Sequence, residues 1–345
     1  MQKNKQQRSK KMELSLDDSK WIKVGNDLLM PDIAALVRDR LEGRRGLSST
    51  ADAEGIGKMF LRQLEEGESP STGGLRLSSS GKCQRALAYD YHHYKPNGFK
   101  GDGSSPIVFA TGDILEMIIV TALEEAIIGT PLEMYYTGLN QKTVSLGVPL
   151  TEGRQAKVSG HPDGMMRVPA YNETLDEFTM VNLILEIKSM SDYGFKMFRK
   201  KGLTKDDSYF YQQQSYQLAM TQEGKADFNW SYVLAFGKNV TSKDCELEED
   251  GSVTNLHPLV GGYLAGCDDT KREIQDRLRE VILSDSPEEF PRVMSPATAP
   301  KKKGQLGFPC DWCSHWKTCW PTAREEVVSS GFFQRSNKLK LIVGE

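Results

Sequence analysis

Two carboxylates and a lysine lie where a β-strand usually carries neutral side chains. Asp163 belongs to the turn-rich sequence GHPDG, and about twenty residues later Glu186 and Lys188 interrupt the apolar run LILEIKSM. Because residues i and i+2 of a strand share a face, Glu186 and Lys188 point to the same side of the predicted sheet. An ordinary ion pair at a strand end would also explain them. The chemical alternative is hydrolysis of a phosphodiester, in which carboxylates hold a divalent metal ion and a lysine orients or helps to deprotonate the attacking water.

The helix predicted after this strand adds a second pattern. Its sequence YQQQSYQLAM places Gln212 and Tyr216 four residues apart, on one helical face. A polar surface helix is the alternative, and three consecutive glutamines leave the register open. With Pro162-Asp163 and Glu186-Ile187-Lys188, the pattern resembles the PD-(D/E)xK nuclease superfamily, and the Q-x3-Y spacing resembles its RecB-type exonuclease branch.

The resemblance implies a role for each residue of these motifs. The implied roles are ligation of Mg²⁺ or Mn²⁺ by Asp163, Glu186 and the backbone carbonyl of Ile187, catalysis by Lys188, and positioning of DNA by Gln212 and Tyr216.

RecB-type nucleases also carry a G-x3-His metal ligand on the helix before the sheet. Gly112 to Glu116 occupies that place here, with glutamate instead of histidine. A carboxylate suits Mg²⁺, so we expect Glu116 to assist as a fourth catalytic residue and a metal ligand, with a weaker preference for Mn²⁺. Asp113 is an alternative ligand, although we expect it, or Thr111, to cap the helix.

Three cysteines are closely spaced near the C-terminus, in FPCDWCSHWKTCWP. Cys310, Cys313 and Cys319 need a fourth partner to hold a metal, and either His315, as in a zinc knuckle, or the distant Cys83 could supply it. One upstream cysteine followed by C-x2-C-x5-C resembles the [4Fe-4S] staple of the AddB subunit and of CRISPR-associated RecB-like exonucleases. The resemblance implies that all four cysteines hold an iron–sulfur cluster; Zn²⁺ and unliganded thiols are the alternatives.

Composition limits the class of protein. The chain has 345 residues, 38% hydrophobic and 26% charged, with a net charge of −3, which excludes a histone-like polycation but permits a local basic cleft. Six cysteines and a polar, basic N-terminus without an apolar signal core favour a reducing cytoplasm, in a bacterium or a phage-infected cell. The most apolar stretch is shorter than the roughly 20 residues that a membrane span needs, so we expect no membrane partner.

The predicted organisation is an α/β, restriction-endonuclease-like core, a central mixed sheet flanked by helices. Four regions are expected: a disordered basic tail (1–15), a helical accessory region with helices near 33–42 and 51–66 (16–75), the nuclease domain closed by the cysteines (76–322), and a C-terminal tail (323–345). Within the domain we predict helices over 83–91, 111–128, 207–222 and 267–284. Strands are predicted between 133 and 190 and over 229–237.

Together these features predict a metal-dependent DNA exonuclease of recombination, repair or phage DNA processing, acting on single strands or free ends. Basic and aromatic residues at 82–95 and 193–201 are candidates for strand contacts, although solvated loops would have the same composition. Two alternatives remain: an endonuclease with the same site, and a catalytically silent DNA-binding or assembly protein. The sequence does not identify protein partners.

Overall fold

A computed structural model describes most of the chain. The described residues are 20–42, 57, 74–97, 105–137, 142–151, 153–225, 227–238, 245–247, 253–255, 257–296, 298, 303–307, 309–310, 313–329 and 337–343. The predicted tail at 1–15 lies outside them, as does nearly all of the helix expected at 51–66. Among the described residues, no helix is long and apolar enough to cross a membrane.

Groups of consecutive strands and groups of consecutive helices follow one another along the chain. The strands are β1 (Trp21–Val24), β2 (Leu28–Pro31), β3 (Glu133–Thr137), β4 (Val144–Pro149), β5 (Gln155–Gly160), β6 (Gly164–Asn172), β7 (Glu177–Met190), β8 (Trp230–Gly237), β9 (Cys245–Leu247), β10 (Val253–Asn255), β11 (Leu259–Ala265), β12 (Ala323–Ser329) and β13 (Asn337–Val343). The helices are α1 (Ile33–Glu42), α2 (Gln84–Tyr91), α3 (Ser105–Ala126), α4 (Asp192–Lys201), α5 (Ser208–Gln222), α6 (Asp268–Leu283) and α7 (Trp316–Cys319).

A seven-stranded mixed sheet forms the centre of the molecule, as predicted. Its order is β1-β2-β6-β7-β8-β11, and β3 pairs with β6 on the same edge as β2. The long strands β6 and β7 are antiparallel, whereas β7 and β8 are parallel and are connected through α4 and α5. The pairs β4–β5, β9–β10 and β12–β13 form separate two-stranded sheets.

Helices cover both faces of β7. Leu185 and Ile187 pack in one core with Ile119 of α3, and Ile184 packs in a second core with Tyr216 of α5. Burial on both faces explains why this strand reads as a nearly continuous apolar run. Each such side chain contributes about 1.5–3 kcal/mol when it is fully buried. The alternation of side chains places residues 186 and 188 on the α5 side of the sheet.

The region before residue 76 is part of the central sheet. The helix expected near 33–42 is present as α1, but two short strands that the sequence analysis did not predict, β1 and β2, precede it and join β6. The buried Tyr232 and the half-buried Tyr263 fix this region. The Tyr232 hydroxyl accepts a hydrogen bond from Ala34 N (2.9 Å), and the Tyr263 hydroxyl donates one to Pro31 O (2.8 Å). A purely helical accessory region is therefore an incomplete description.

One predicted helix start is wrong. The helix α3 begins at Ser105, not near Thr111 or Asp113, so both residues lie inside the helix and cannot cap it. Pro106 occupies the first turn, where the missing N–H of proline costs no hydrogen bond and its fixed φ angle favours the helix.

Candidate active site

The first carboxylate lies at the sheet end where β6 begins. Gly164 pairs with Leu185, so the antiparallel register places the preceding residue, Asp163, beside Glu186. The Asp163 Oδ2 atom accepts a hydrogen bond from Ile187 N at 2.7 Å. This bond continues the pairing of the two strands by one step and fixes the Asp163 carboxylate against β7.

The second carboxylate, Glu186, is fully buried. Its Oε1 atom accepts a hydrogen bond from Gln212 Nε2 at 2.7 Å and forms an ion pair with Lys188 Nζ. Its Oε2 atom is buried and has no hydrogen-bond partner among the described residues. A buried carboxylate oxygen without a partner is costly, so this atom is a position where a bound cation would supply the missing interaction.

The helix α5 resolves the ambiguity of the three glutamines. Gln212 is the one that contacts Glu186. Gln214 donates to Ala265 O and accepts from Cys267 N, and so connects α5 to the loop before α6. The amide of Gln213 is buried without a partner among the described residues. The register chosen from the Q-x3-Y pattern therefore agrees with the packing.

Tyr216 reaches the other side of the site. Its side chain is 1% exposed, and its hydroxyl donates a hydrogen bond to His161 O at 3.1 Å, in the loop that carries Asp163. Gly160 makes room for the ring, because a Cβ atom there would lie 2.7 Å from Tyr216 Cε1. Through these contacts Gln212 positions Glu186, and Tyr216 positions the loop that carries Asp163.

The third carboxylate comes from the opposite face of the sheet. Gly112 brings α3 close to β7, since a Cβ atom at that position would lie 3.4 Å from Ser189 Oγ. Glu116 follows one helical turn later and interacts electrostatically with Lys188, Glu186 and Asp113. The sequence pattern G-x3-E therefore places a carboxylate beside the other two.

Burial and mutual repulsion set the electrostatics of these groups. Burial, with the charges of Glu186 and Asp113, raises the pKa of Glu116 to about 7 against the opposing effect of Lys188. Burial also raises the pKa of Asp163, and Glu186 and Glu116 add to it. Burial alone would lower the pKa of Lys188, but Glu186 and Asp163 outweigh it and raise that pKa, so the lysine is an ammonium at neutral pH.

Tyr209 belongs to the site but was not predicted from the sequence. It lies on α5 three residues before Gln212, and Lys188 Nζ is 5.5 Å from the centre of its ring. This distance permits a cation–π interaction that holds the lysine beside Glu186. Helical spacing alone could have placed Tyr209 near Gln212, but the contact with Lys188 depends on tertiary packing.

The carboxylates are not arranged as a complete metal-binding site. Among the described residues, no group of three or more His, Cys, Asp or Glu side chains is arranged to hold a metal ion. The reason lies in the contacts above: Lys188 and Gln212 engage one oxygen of Glu186, and the N–H of Ile187 engages one oxygen of Asp163. The unpartnered Oε2 atom of Glu186 is the feature that fits a cation.

The four predicted cysteines converge from the two ends of the domain. Burial raises the pKa of Cys83 and Cys313, and raises that of Cys310 to about 11; electrostatic interactions link every pair among these three and Cys319. None of the four forms a disulfide. The thiols of Cys83, Cys310 and Cys313 are therefore protonated at pH 7, and a metal or cluster would have to displace their protons.

His315, the other candidate for the fourth ligand, is engaged elsewhere. Its Nε2 atom lies 2.8 Å from Asp90 Oδ1, and its ring stacks on Tyr89 of α2. Asn97 adds two hydrogen bonds between the same segments, from its N to Ser314 O and from its Nδ2 to Thr318 Oγ1. The segment of α2 and the cysteine-rich segment are therefore packed together through protein contacts alone.

The basic and aromatic residues expected to contact DNA divide into two groups. Tyr89 and Phe198 are buried and belong to hydrophobic cores. Tyr193, by contrast, is 76% exposed, and Lys196 and Lys200 are exposed with it on α4, directly after β7. This exposed face of α4 is the part of the set that is available to a phosphate backbone.

Comparisons with known proteins give little further information. No family model matches the chain, and no curated protein matches it in sequence. The crystal structure of LHK-Exo in complex with dAMP is similar to this chain with a TM-score of 0.36 and 15% sequence identity, covering 63% of this chain and 90% of that one. This similarity is low, and the function proposed below rests on the geometry of the site.

Proposed function

We propose that the protein is a metal-dependent deoxyribonuclease of the PD-(D/E)xK type that degrades DNA from single-stranded or free ends. The observation that carries the proposal is the convergence of Asp163, Glu186, Glu116 and Lys188 at one sheet end, with an unpartnered buried oxygen on Glu186. Three carboxylates of which two have raised pKa values are typical of a catalytic or metal site rather than of a structural ion pair.

Glu186, Asp163 and Glu116 would hold Mg²⁺ or Mn²⁺, together with the backbone carbonyl of Ile187. When bound, the cation would neutralise the carboxylates and polarise the phosphate that is attacked. Lys188, kept as an ammonium by Glu186 and Asp163, would orient the attacking water and stabilise the negative charge that develops on the phosphate. Gln212 and Tyr216 are positioning residues in this scheme, because they act through protein contacts.

The cysteines would serve structure rather than catalysis. Cys83, Cys310, Cys313 and Cys319 would hold a [4Fe-4S] cluster, or alternatively Zn²⁺, next to the contacts that already join α2 to the C-terminal segment. The support is their convergence in space and the absence of a disulfide among them.

The exonuclease proposal is tested with end-labelled single-stranded DNA and Mg²⁺ or Mn²⁺. Glu186→Gln removes a charge and keeps the shape of the side chain. We expect it to lower the cleavage rate by about 100-fold or more, the size of effect that follows the loss of a catalytic acid, base or oxyanion donor. Glu177→Gln, at the exposed start of the same strand, is the matched control and should cleave normally.

Three outcomes would change the proposal. Equal cleavage by Glu186→Gln and the wild type would place the activity elsewhere. Cutting of closed circular DNA would identify an endonuclease. Binding of DNA without cleavage in any divalent ion would favour a catalytically silent binding protein.

A further inference from the structure

A surface cavity of about 540 Å³ lies along the outer strand β3, on the same sheet as the catalytic residues. Its lining combines three apolar side chains, two tyrosines, an amide and an ammonium. The lining residues are Met134, Tyr135, Tyr136, Met165, Asn182, Lys225 and Phe228.

The two tyrosines are unusually exposed for their size, at 43% for Tyr135 and 40% for Tyr136. The pairing of β3 with β6 shifts register between Met134 and Tyr136, which makes Tyr135 the extra residue of a β-bulge. A bulge turns a side chain away from the regular alternation, so consecutive residues can face one cavity. Exposed aromatic rings on an edge strand, held in this way, present flat surfaces for stacking.

Strand β6 connects the cavity to the proposed active site, because Met165 lines the cavity and Asp163 directly precedes the strand. Thr137 of β3 pairs with Gly164, the neighbour of Asp163, and Tyr136 pairs with Met165. At about 3.3 Å per residue, the backbone of Tyr136 lies about 7 Å along the sheet from the level of Asp163. A DNA strand whose phosphate lies at Asp163 therefore has its adjoining nucleotides within reach of the two rings.

Positive charge lies at the rim of the cavity. Lys142 and Lys225 share one carboxylate oxygen, Glu223 Oε2, at 3.0 and 3.9 Å, and Lys142 is close enough to Tyr136 to interact with it electrostatically. Two further carboxylates lie nearby: Asp227 accepts a hydrogen bond from Asn182, and Glu133 accepts one from the Tyr135 hydroxyl. Lys142 and Lys225 are the cationic groups at this rim that a backbone phosphate would contact.

We infer that this cavity binds unpaired bases of the DNA strand beside the scissile phosphate, by stacking on Tyr135 and Tyr136, with Lys142 and Lys225 contacting its backbone. The inference rests on the proposed nuclease function and deepens it, because it assigns to the substrate an unpaired segment next to the cut. Stacking requires only a π face, so binding is expected to tolerate any base sequence.

The test measures binding of a fluorescein-labelled single-stranded oligonucleotide in EDTA, where no cleavage occurs, and cleavage in Mg²⁺. We expect Tyr135→Ala and Tyr136→Ala each to weaken binding about tenfold, whereas the Phe variants, which keep the ring, bind normally. Leu175→Ala, which removes an exposed apolar side chain from the turn at the far end of β6 and β7, is the control for loss of apolar surface in general. Thermal unfolding verifies that each variant is folded.

Oligonucleotides with single abasic sites identify the bases that stack. An abasic site near the labelled end should weaken binding to the wild type about tenfold. It should have little further effect on the Tyr135→Ala/Tyr136→Ala double variant, because loss of the base and loss of the rings remove the same contact. If the double variant binds and cleaves intact DNA like the wild type, the base-binding inference is wrong while the nuclease proposal stands. If the wild-type protein neither binds nor cleaves DNA, the proposed function itself fails.

Discussion

Glu116 should make the metal-free protein less stable as pH rises. Its pKa is raised from 4.5 to about 7 in the folded state, because it is buried beside Glu186 and Asp113. A carboxyl with a raised pKa binds its proton more tightly when the protein is folded. The stability that this proton contributes is therefore complete below about pH 4.5 and is lost as pH rises through about 7.

The size of the effect follows from the shift. At about 1.4 kcal/mol per pKa unit, the free energy of unfolding should fall by up to about 3 kcal/mol between pH 4.5 and pH 8. Glu116→Gln keeps the shape and hydrogen-bonding capacity of the protonated acid but carries no charge. In EDTA at pH 8 this variant should be more stable than the wild type by up to that amount, and at pH 4.5 the two should be nearly equal.

Urea unfolding in EDTA at several pH values measures the difference. Glu124→Gln, an exposed position on the same helix, is the matched control and should follow the wild type. Saturating Mg²⁺ at pH 8 should stabilise the wild type more than Glu116→Gln, since a ligand that binds only the folded state adds to its stability. If the difference in urea midpoint between the wild type and Glu116→Gln is the same at every pH, the pKa of Glu116 is not raised in the folded protein.

Three further predictions concern the packing of the site and the cysteines. Gly160→Ala should lower the free energy of unfolding in urea by about 1–3 kcal/mol, because the added Cβ atom would lie 2.7 Å from the Tyr216 ring. Gly194→Ala, whose Cβ atom would have its nearest contact at 3.5 Å, should lower it little, and equal losses for the two variants would contradict this packing. Tyr209→Phe should keep the cleavage rate and Tyr209→Leu should lower it several-fold at unchanged KM, because only Phe retains the ring beside Lys188. Equal rates for the two variants would exclude this role of Tyr209. Anaerobically purified protein should be brown, Cys83→Ser should lose the colour and Cys267→Ser should keep it, whereas a colourless wild type with one zinc per chain would refute the iron–sulfur proposal.

The residues that alternation and spacing placed correctly are those whose position depends on local geometry. Glu186 and Lys188 share a face because they are two residues apart in a strand, and Gln212 and Tyr216 share one because they are four apart in a helix. Asp163 could be placed beside them only by assuming that the two strands are neighbours. The register of β6 and β7 confirms that assumption.

The features that were missed depend on distant parts of the chain. The strands β1 and β2 have four residues each and are anchored by Tyr232 and Tyr263, more than 190 positions away, so their short sequences carry little signal. Three adjacent glutamines offer no local reason to prefer one, and only packing shows that Gln212 contacts Glu186. The contact between Tyr209 and Lys188 is likewise tertiary.

The overall charge of −3 does not indicate the local charge that a phosphate would encounter at the proposed site. Three acidic side chains and one lysine occupy the sheet end, so in the absence of metal the site repels DNA, and protonation of Glu116 partly relieves that repulsion. A proton on Glu116 and a divalent cation relieve the same crowding of charge, and so they compete. Cation binding near pH 6 should therefore release protons from the wild type, and about one proton fewer per site from Glu116→Gln. Calorimetry in two buffers of different ionisation enthalpy measures that release, and equal proton release from both proteins would mean that Glu116 lies outside the cation site.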